Sequence, residues 1–428
     1  MGLRSFLGKV EKKGELTRID QELSPKFEVS RKLRELDGGP ATIFENIKGR
    51  KMKVAGNICG TRERIAIALG VERDQLIPRL RDALANPSKP GEASEAPVQE
   101  VVEEEVSLKS LPILKYFEED GGPYITSSIL AAKDSNGNRN LSFHRMQVIG
   151  ENRLAVRLVP RDLHQIFSDA EERGEDLEVA AMLGVHPAVS LAAATSSSYE
   201  FDEYEMAGAL LDDLKLAECN SVDLEIPARG EIILEGRLLA GERASEGPFA
   251  DITGTYDAVR DQPVFEVDCL TMREDAFYQA ILPGGSEHRL LMGMPREPLI
   301  FEEVGKNVKV NNVILTPGGC GWLHGVISIS KEKDEDGKKA IEAAFKAHPS
   351  MKHVVVVDDD VNIYDSREVE WAIATRARAD RDVMIKSNVK GSSLDPTADS
   401  ETRIGSKMGI DATIDLKEPE KFKRAQIP

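Results

Sequence analysis

Apolar and polar positions change their pattern along the chain and divide it into segments. Residues 1 to about 85 read as a small α/β unit, with a helix around Leu3 to Lys12, strands near Ala41 to Phe44 and Lys53 to Asn57, and a helix from Arg62 to Leu69. Asn86 to Glu105 is rich in Pro, Glu, Ala and Ser and predicts a solvated connector. From Pro123 the pattern turns to strands: Tyr124 to Ala132, Leu141 to Ile149 and Leu154 to Val159. The turns between them, Asp134-Ser-Asn-Gly-Asn138 and Gly150-Glu-Asn152, favour an antiparallel meander. Helices are predicted over Leu163 to Arg173, Leu177 to Leu183 and Asp202 to Ala217, and strands over Glu231 to Leu239, Val264 to Thr271 and Phe277 to Leu282. Two groups of strands with helices between them suggest a partly closed barrel or sandwich carrying a helical insertion. After about Lys306 the pattern is α/β: strands Val308 to Leu315 and Val326 to Ile329, a helix from Lys338 to Ala347, the apolar run Val354 to Val357 and a helix from Val369 to Ala379. The expected domains are 1–110, including the acidic linker 86–105, then 111–305 and 306–428.

Length supports this division, since 428 residues exceed what one hydrophobic core usually serves. With 74 acidic and 56 basic side chains the formal charge is -18, which argues against nucleic acid as partner. No apolar run approaches the roughly 20 residues of a membrane helix, and the N-terminus lacks the apolar core of a secretory signal. A cytoplasmic protein with no membrane partner is expected. Cys59, Cys219, Cys269 and Cys320 form no Cys-x-x-Cys pair, so neither a zinc cluster nor a disulfide framework is indicated.

The candidate chemistry lies in short motifs between apolar strands. Asn140-Leu-Ser-Phe-His-Arg145 offers an amide and a guanidinium whose planar fork pairs two carboxylate oxygens; a turn cap and a surface ion pair are the alternatives. In a regular strand Asn140 and Arg145 point to opposite sides, unless Asn140 sits in the preceding turn or a bulge intervenes. Glu246-Gly-Pro-Phe-Ala-Asp251 fixes a carboxylate in a tight turn, and Gly284-Gly-Ser-Glu-His-Arg289 places Glu287 after an apolar strand. Asp358-Asp-Asp360 reads as helix or turn capping, with a metal as the alternative. Phosphate-binding and Rossmann glycine fingerprints, His-Glu-x-x-His and Gly-x-Ser-x-Gly are all missing from the sequence.

In this order, with Thr316-Pro-Gly-Gly-Cys-Gly-Trp322 and Gly391-Ser-Ser-Leu-Asp-Pro396 downstream, the motifs from about Leu111 to Thr413 resemble the UbiD family of non-oxidative decarboxylases. The resemblance implies a central flavin-reductase-like split β-barrel flanked by N-terminal and C-terminal α/β domains, the last used in contacts of a homo-oligomer. It implies prenylated FMN, delivered by a flavin prenyltransferase, with Mn²⁺ or Mg²⁺ and K⁺ as a neighbour. By the same resemblance Arg145 and Glu287 are catalytic, Arg145 orienting the substrate carboxylate and Glu287 delivering a proton. A second acid paired with the Arg is expected at Asp251 or Glu297. Asn140 and Glu246 match metal ligands. The family His expected as third ligand is replaced by Arg161-Asp162, so Asp162 is the expected ligand, with His164, or Arg161 on the phosphate, as alternatives, and a helix N-cap as the structural one. Ser142, Phe143, His144, Arg145, Arg157, Leu158, Arg161, Asp162, Cys320 and Lys390 match cofactor positions.

Pro283-Gly-Gly-Ser-Glu-His288 and Met294-Pro-Arg-Glu-Pro298 look like the archaeal branch of the family, which includes a decarboxylase of trans-anhydromevalonate 5-phosphate. The expected substrate is therefore a phosphorylated unsaturated acid, with Arg289 and Arg296 as cations for its phosphate. A hydroxybenzoate-type acid is the alternative, and a flavin-binding oxidoreductase on the same scaffold, or a non-catalytic subunit, is the other class.

Overall fold

The computed structural model of the chain describes residues 1–399 and 401–425. They form two compact units, Met1–Leu291 and Met292–Pro428. Residues 1–110 and 111–291 are thus one body, because the strand Phe277–Ala280 runs parallel to Lys53–Gly56 and completes the sheet begun by Leu16–Ile19 and Ala41–Phe44. The stretch 86–105 is pinned, contrary to the solvated connector expected: Gly91–Glu92 pairs with Lys215–Glu218, Val101–Glu103 pairs with Arg260–Met272, and Val98 is fully buried.

The first unit is built around a large curled sheet. Its strands run in the order Tyr124–Ile125, Met146–Val148, Arg153–Val156, Arg260–Met272, Ile232–Glu246, Leu177–Leu183, Ile129–Lys133, Arg139–Phe143. Two short links, 126–128 and 144–145, each connect strands from opposite ends of this order, so the sheet curls until its ends meet. The His144 amide donates to the Ser128 carbonyl (3.1 Å) across that seam. The expected continuous strands Tyr124 to Ala132 and Leu141 to Ile149 are both broken at these links, which also removes the strict face alternation across Asn140 and Arg145.

Leu177–Leu183 is a strand, not the helix expected. Its side chains are almost all buried and it pairs on both sides, with Ile232–Leu238 and Ile129–Ala131; a short apolar run buried on both faces has no periodicity to distinguish the two states. The helix expected over Asp202 to Ala217 ends at Leu210, and Lys215–Glu218 is a strand. The core beneath the curled sheet joins Tyr124, Leu154, Val179, Leu234 and Phe265 with Leu33, Phe44 and Val54 from the N-terminal segment.

The second unit carries a five-stranded sheet in the order Val310–Leu315, His324–Ile329, His353–Asp358, Ile404–Ala412, Val383–Lys390. The acidic triplet after His353–Asp358 neither caps a helix nor gathers as a metal site. Asp358 and Asp360 instead receive the buried Arg376 guanidinium (2.8 and 2.7 Å).

Candidate active site

The seam positions the first cluster. Arg145 lies on the crossover 144–145, and its Nε and Nη2 donate to the two oxygens of Glu246 (2.9 and 3.0 Å). Nη1 donates to Asp251 (2.6 Å) and Nη2 also to Asp257 (3.1 Å). Glu246 ends the long strand Ile232–Glu246; Gly247, at φ 109°, then turns the chain into the hairpin Phe249–Ala250 with Tyr256–Asp257, which delivers both aspartates to the same guanidinium. The side chains are 9% exposed for Arg145, 0% for Glu246, 15% for Asp251 and 12% for Asp257, so the contacts are made in a medium that strengthens them. Burial opposes the Arg145 charge, yet Glu246, Asp251 and Asp257 together hold it protonated more firmly than usual. Arg260 (2.6 Å) and Arg157 (3.8 Å) face Asp257, so three guanidinium groups meet three carboxylates. Arg145 has a single N–H, on Nη1, beyond those in use.

Both Glu246 oxygens are therefore occupied: Oε1 by Arg145 and by the Tyr124 hydroxyl (3.1 Å), Oε2 by Arg145. Glu246, expected as a metal ligand, thus serves a guanidinium and a hydroxyl, and Asp251, one of the two candidates for the second acid, shares that guanidinium. Glu297, the other candidate, lies in the second unit and accepts the Leu315 amide (2.9 Å).

A second cluster surrounds Asn140. Asn140 is buried on the strand Arg139–Phe143, and the Ser142 hydroxyl donates to its Oδ1 (3.0 Å) and lies 2.9 Å from His144 Nε2. His144 Nδ1 meets the Arg157 carbonyl (2.9 Å), and burial lowers the imidazole to about 4, so it is neutral. Next to Asn140, the Leu141 amide donates to Glu203 Oε2 (2.8 Å). Glu203, 4% exposed, opens the helix Glu203–Leu210, and burial pushes its carboxyl up to about 8, with Asp202 and Asp162 adding to the rise. Among the described residues no basic side chain pairs with it. Sequence reasoning missed Glu203, because it stands in the acidic run Asp202-Glu-Tyr-Glu205 that opens a helix, where acids are ordinarily solvated.

Asp162 sits in the first turn of the helix Asp162–Glu172, whose N-cap is Arg161, so the capping alternative for Asp162 fails. His164 is exposed on that helix beside Ser168 (3.5 Å), away from Asn140's partners. Arg161 is exposed, with enough protein around it to lower its pKa, and it donates to Ser196 (3.1 Å). Phe143 is half-buried beside Asn140, and the Leu158 amide is held by Gln262 (2.8 Å).

Glu287 begins the helix Ser286–Gly293, buried, and burial raises it to about 7. Its partners are the Cys59 amide (3.1 Å) and Gln279 (3.4 Å), so the structure sets it against the N-terminal segment and not among the groups around Arg145. The neighbouring His288 is held below the usual imidazole range by burial, with the charges of Asp251, Arg145 and Arg289 acting on it, and its Nδ1 accepts the Gly284 amide (3.1 Å). Arg289 follows on the same helix, whereas Arg296 stacks on Trp322 (5.5 Å) in the second unit. Cys320 and Lys390 also belong to the second unit, Cys320 in a left-handed turn (φ 60°) and Lys390 exposed at the end of an edge strand.

Family models match nearly the whole chain: 3-octaprenyl-4-hydroxybenzoate carboxy-lyase N-terminal domain over 7–84, Rift-related domain over 90–286 and C-terminal domain over 289–412. The chain belongs to the UbiD family. Among its relatives are the anhydromevalonate phosphate decarboxylases of Methanothermobacter thermautotrophicus, 46% identical over 99% of both chains, and of Methanosarcina mazei, 44% identical over 100% of both. Of solved UbiD-family structures, the UbiD-class enzyme HmfF from Pelotomaculum thermopropionicum in complex with FMN superposes with a TM-score of 0.98 at 42% identity, covering 100% of this chain and 98% of that one. The apo 3,4-dihydroxybenzoic acid decarboxylase of Klebsiella pneumoniae gives 0.94 at 26% identity, covering 100% and 97%.

Proposed function

We propose that the protein is a non-oxidative carboxy-lyase that converts trans-anhydromevalonate 5-phosphate to isopentenyl phosphate and CO₂ with prenylated FMN. The observation that carries the reading is the buried Arg145–Glu246–Asp251 constellation at the seam of the curled sheet. The substrate follows from the relatives named anhydromevalonate phosphate decarboxylase, the cofactor from HmfF solved with FMN and, in an evolved dimeric form, with prFMN.

The residues present fit the cofactor and its metal. Glu203 is a buried carboxylate short of a counter-cation, and with Asn140 and Asp162 it supplies the oxygen ligands a hard divalent ion prefers, Mn²⁺ or Mg²⁺, with K⁺ as a neighbour. Among the described residues no three His, Cys, Asp or Glu side chains form a closed metal cluster. Arg161 and the Ser196 hydroxyl it contacts suit the cofactor phosphate. In this reading the curled sheet is the flavin-reductase-like split barrel.

Bound prenylated FMN supplies the electron sink for the negative charge left when the C–CO₂ bond breaks. Arg145, held rigidly by its carboxylates, turns its remaining N–H and its positive charge toward the substrate carboxylate. Glu246 stays anionic and fixes the guanidinium. Asp251, the most exposed of the three acids on Arg145, carries the proton to the carbon that CO₂ vacates, a task that the sequence resemblance assigned to Glu287. One proton enters and one CO₂ leaves, with no net redox change. The protein works in the cytoplasm as a homo-oligomer, with a flavin prenyltransferase as cofactor supplier.

The test is reconstitution with prenylated FMN, Mn²⁺ and K⁺ and measurement of isopentenyl phosphate from trans-anhydromevalonate 5-phosphate, with a hydroxybenzoate acid in parallel. Turnover of the phosphorylated acid supports the reading; turnover of the aromatic acid alone overturns the substrate.

A further inference from the structure

Tyr124 is fully buried, yet its hydroxyl points into the Arg145 cluster. It lies 3.1 Å from Glu246 Oε1 and 2.8 Å from Gln147 Oε1, and Gln147 Oε1 already accepts the Gly247 amide (2.8 Å). One hydroxyl proton faces two acceptors, and the ionised carboxylate is the stronger of them. The ring is seated against Phe249, centroids 4.5 Å apart, and Arg145 covers the same Phe249 at 4.5 Å. A single phenylalanine therefore fixes both donors to Glu246. The other charged group that bears on Tyr124, Asp120, is occupied by the amides of Phe117 (2.8 Å) and Ala250 (3.2 Å) and does not compete for the hydroxyl.

We propose that Tyr124 is a positioning residue that keeps Glu246 ionised and aimed at Arg145, so that the transferable proton resides on Asp251. With Arg145 Nε and the Tyr124 hydroxyl on Oε1 and Arg145 Nη2 on Oε2, Glu246 has a free lone pair only on Oε2. Loss of the hydroxyl opens a second position on Oε1 and makes Glu246 the better base, in competition with Asp251. The inference rests on the reading of this cluster as the decarboxylation centre.

The experiment compares wild type with Tyr124→Phe as full-length holoenzyme. The expected result is a kcat about 10-fold lower, as for loss of one hydrogen bond to a charged group, an unchanged KM, and an acid limb of the pH profile moved to higher pH. Replacement of Tyr124 by a fluorinated tyrosine, a stronger donor, moves the limb the other way and keeps the test available where the phenylalanine variant folds poorly. An acid limb that is the same in all forms overturns the proposal. Should wild type show no decarboxylation, the functional reading fails by itself. Tyr124 is then still tested by ¹³C-NMR titration of the Glu246 carboxyl, assigned through Glu246→Gln: a midpoint raised in Tyr124→Phe supports the proposal, and an unmoved midpoint overturns it.

Discussion

The Glu203→Gln variant probes the metal assignment without an activity assay. In the folded chain the Glu203 carboxyl is raised from its ordinary 4.5 to about 8, chiefly by burial. Between those values the folded state binds more protons than the unfolded one, so metal-free protein loses stability as pH rises through the window and levels off above about 8. At ~1.4 kcal/mol per pKa unit the full penalty is on the order of 5 kcal/mol, which corresponds to roughly 10 °C in Tm for a unit of this size. Glu203→Gln removes the charge and keeps the shape. Thermal melts of chelator-treated protein at pH 5 and pH 8.5 are therefore expected to lie further apart for wild type than for the variant, in which the smaller dependence due to Glu287 remains. Added Mn²⁺ is expected to raise the wild-type Tm at pH 8.5 and to leave the variant nearly unmoved. Equal Mn²⁺ stabilisation of both forms, or the same pH dependence in both, would refute the reasoning.

Arg145→Lys keeps the charge but loses the planar fork that serves Glu246, Asp251 and Asp257 together; kcat is expected to fall by at least ~100-fold, and Tm to drop because buried carboxylates lose partners worth roughly 3–5 kcal/mol. Arg161→Ala is expected to weaken flavin retention by about 10- to 100-fold, the value of one charge-assisted hydrogen bond, measured by fluorescence titration with FMN. Glu287→Gln is expected to leave kcat within a few-fold. Because burial raises the folded-state value of Glu287 to about 7, wild type loses stability as pH rises from about 4.5 to 7, and the variant's melting curve is expected to be flatter over that window.

Much of this organisation was legible in the sequence, because long amphipathic segments and turn residues carry local signals. The helices Leu3–Lys12 and Asp336–Ala347 and the buried run Val354 to Val357 are where the pattern places them, within two residues. Leu177–Leu183 was not legible, since burial on both faces erases the periodicity that separates strand from helix. The site was legible in its motifs and misread in its pairings. Arg145 and Asp251 were singled out, but only the curled sheet and its hairpin show that Glu246 and Asp257 share the same guanidinium. Glu203 stands 62 positions after Leu141 and accepts its amide only because the helix Glu203–Leu210 lies beside the strand Arg139–Phe143. Glu287 and His288 are adjacent in sequence, yet successive residues of a helix face different neighbours, Cys59 for one and the Asp251 side for the other.

The central claim is that Arg145, Glu246 and Asp251 carry out a decarboxylation without net redox change. It is tested most directly by turnover of trans-anhydromevalonate 5-phosphate in D₂O by the reconstituted enzyme, with CO₂, product deuterium and flavin absorbance followed together. Expected are one CO₂ and one deuterium at the former carboxyl-bearing carbon per isopentenyl phosphate, an unchanged flavin oxidation state, and loss of both CO₂ release and deuterium incorporation in Asp251→Asn. Flavin reduction in step with CO₂ release, or full turnover by Asp251→Asn, would contradict the claim.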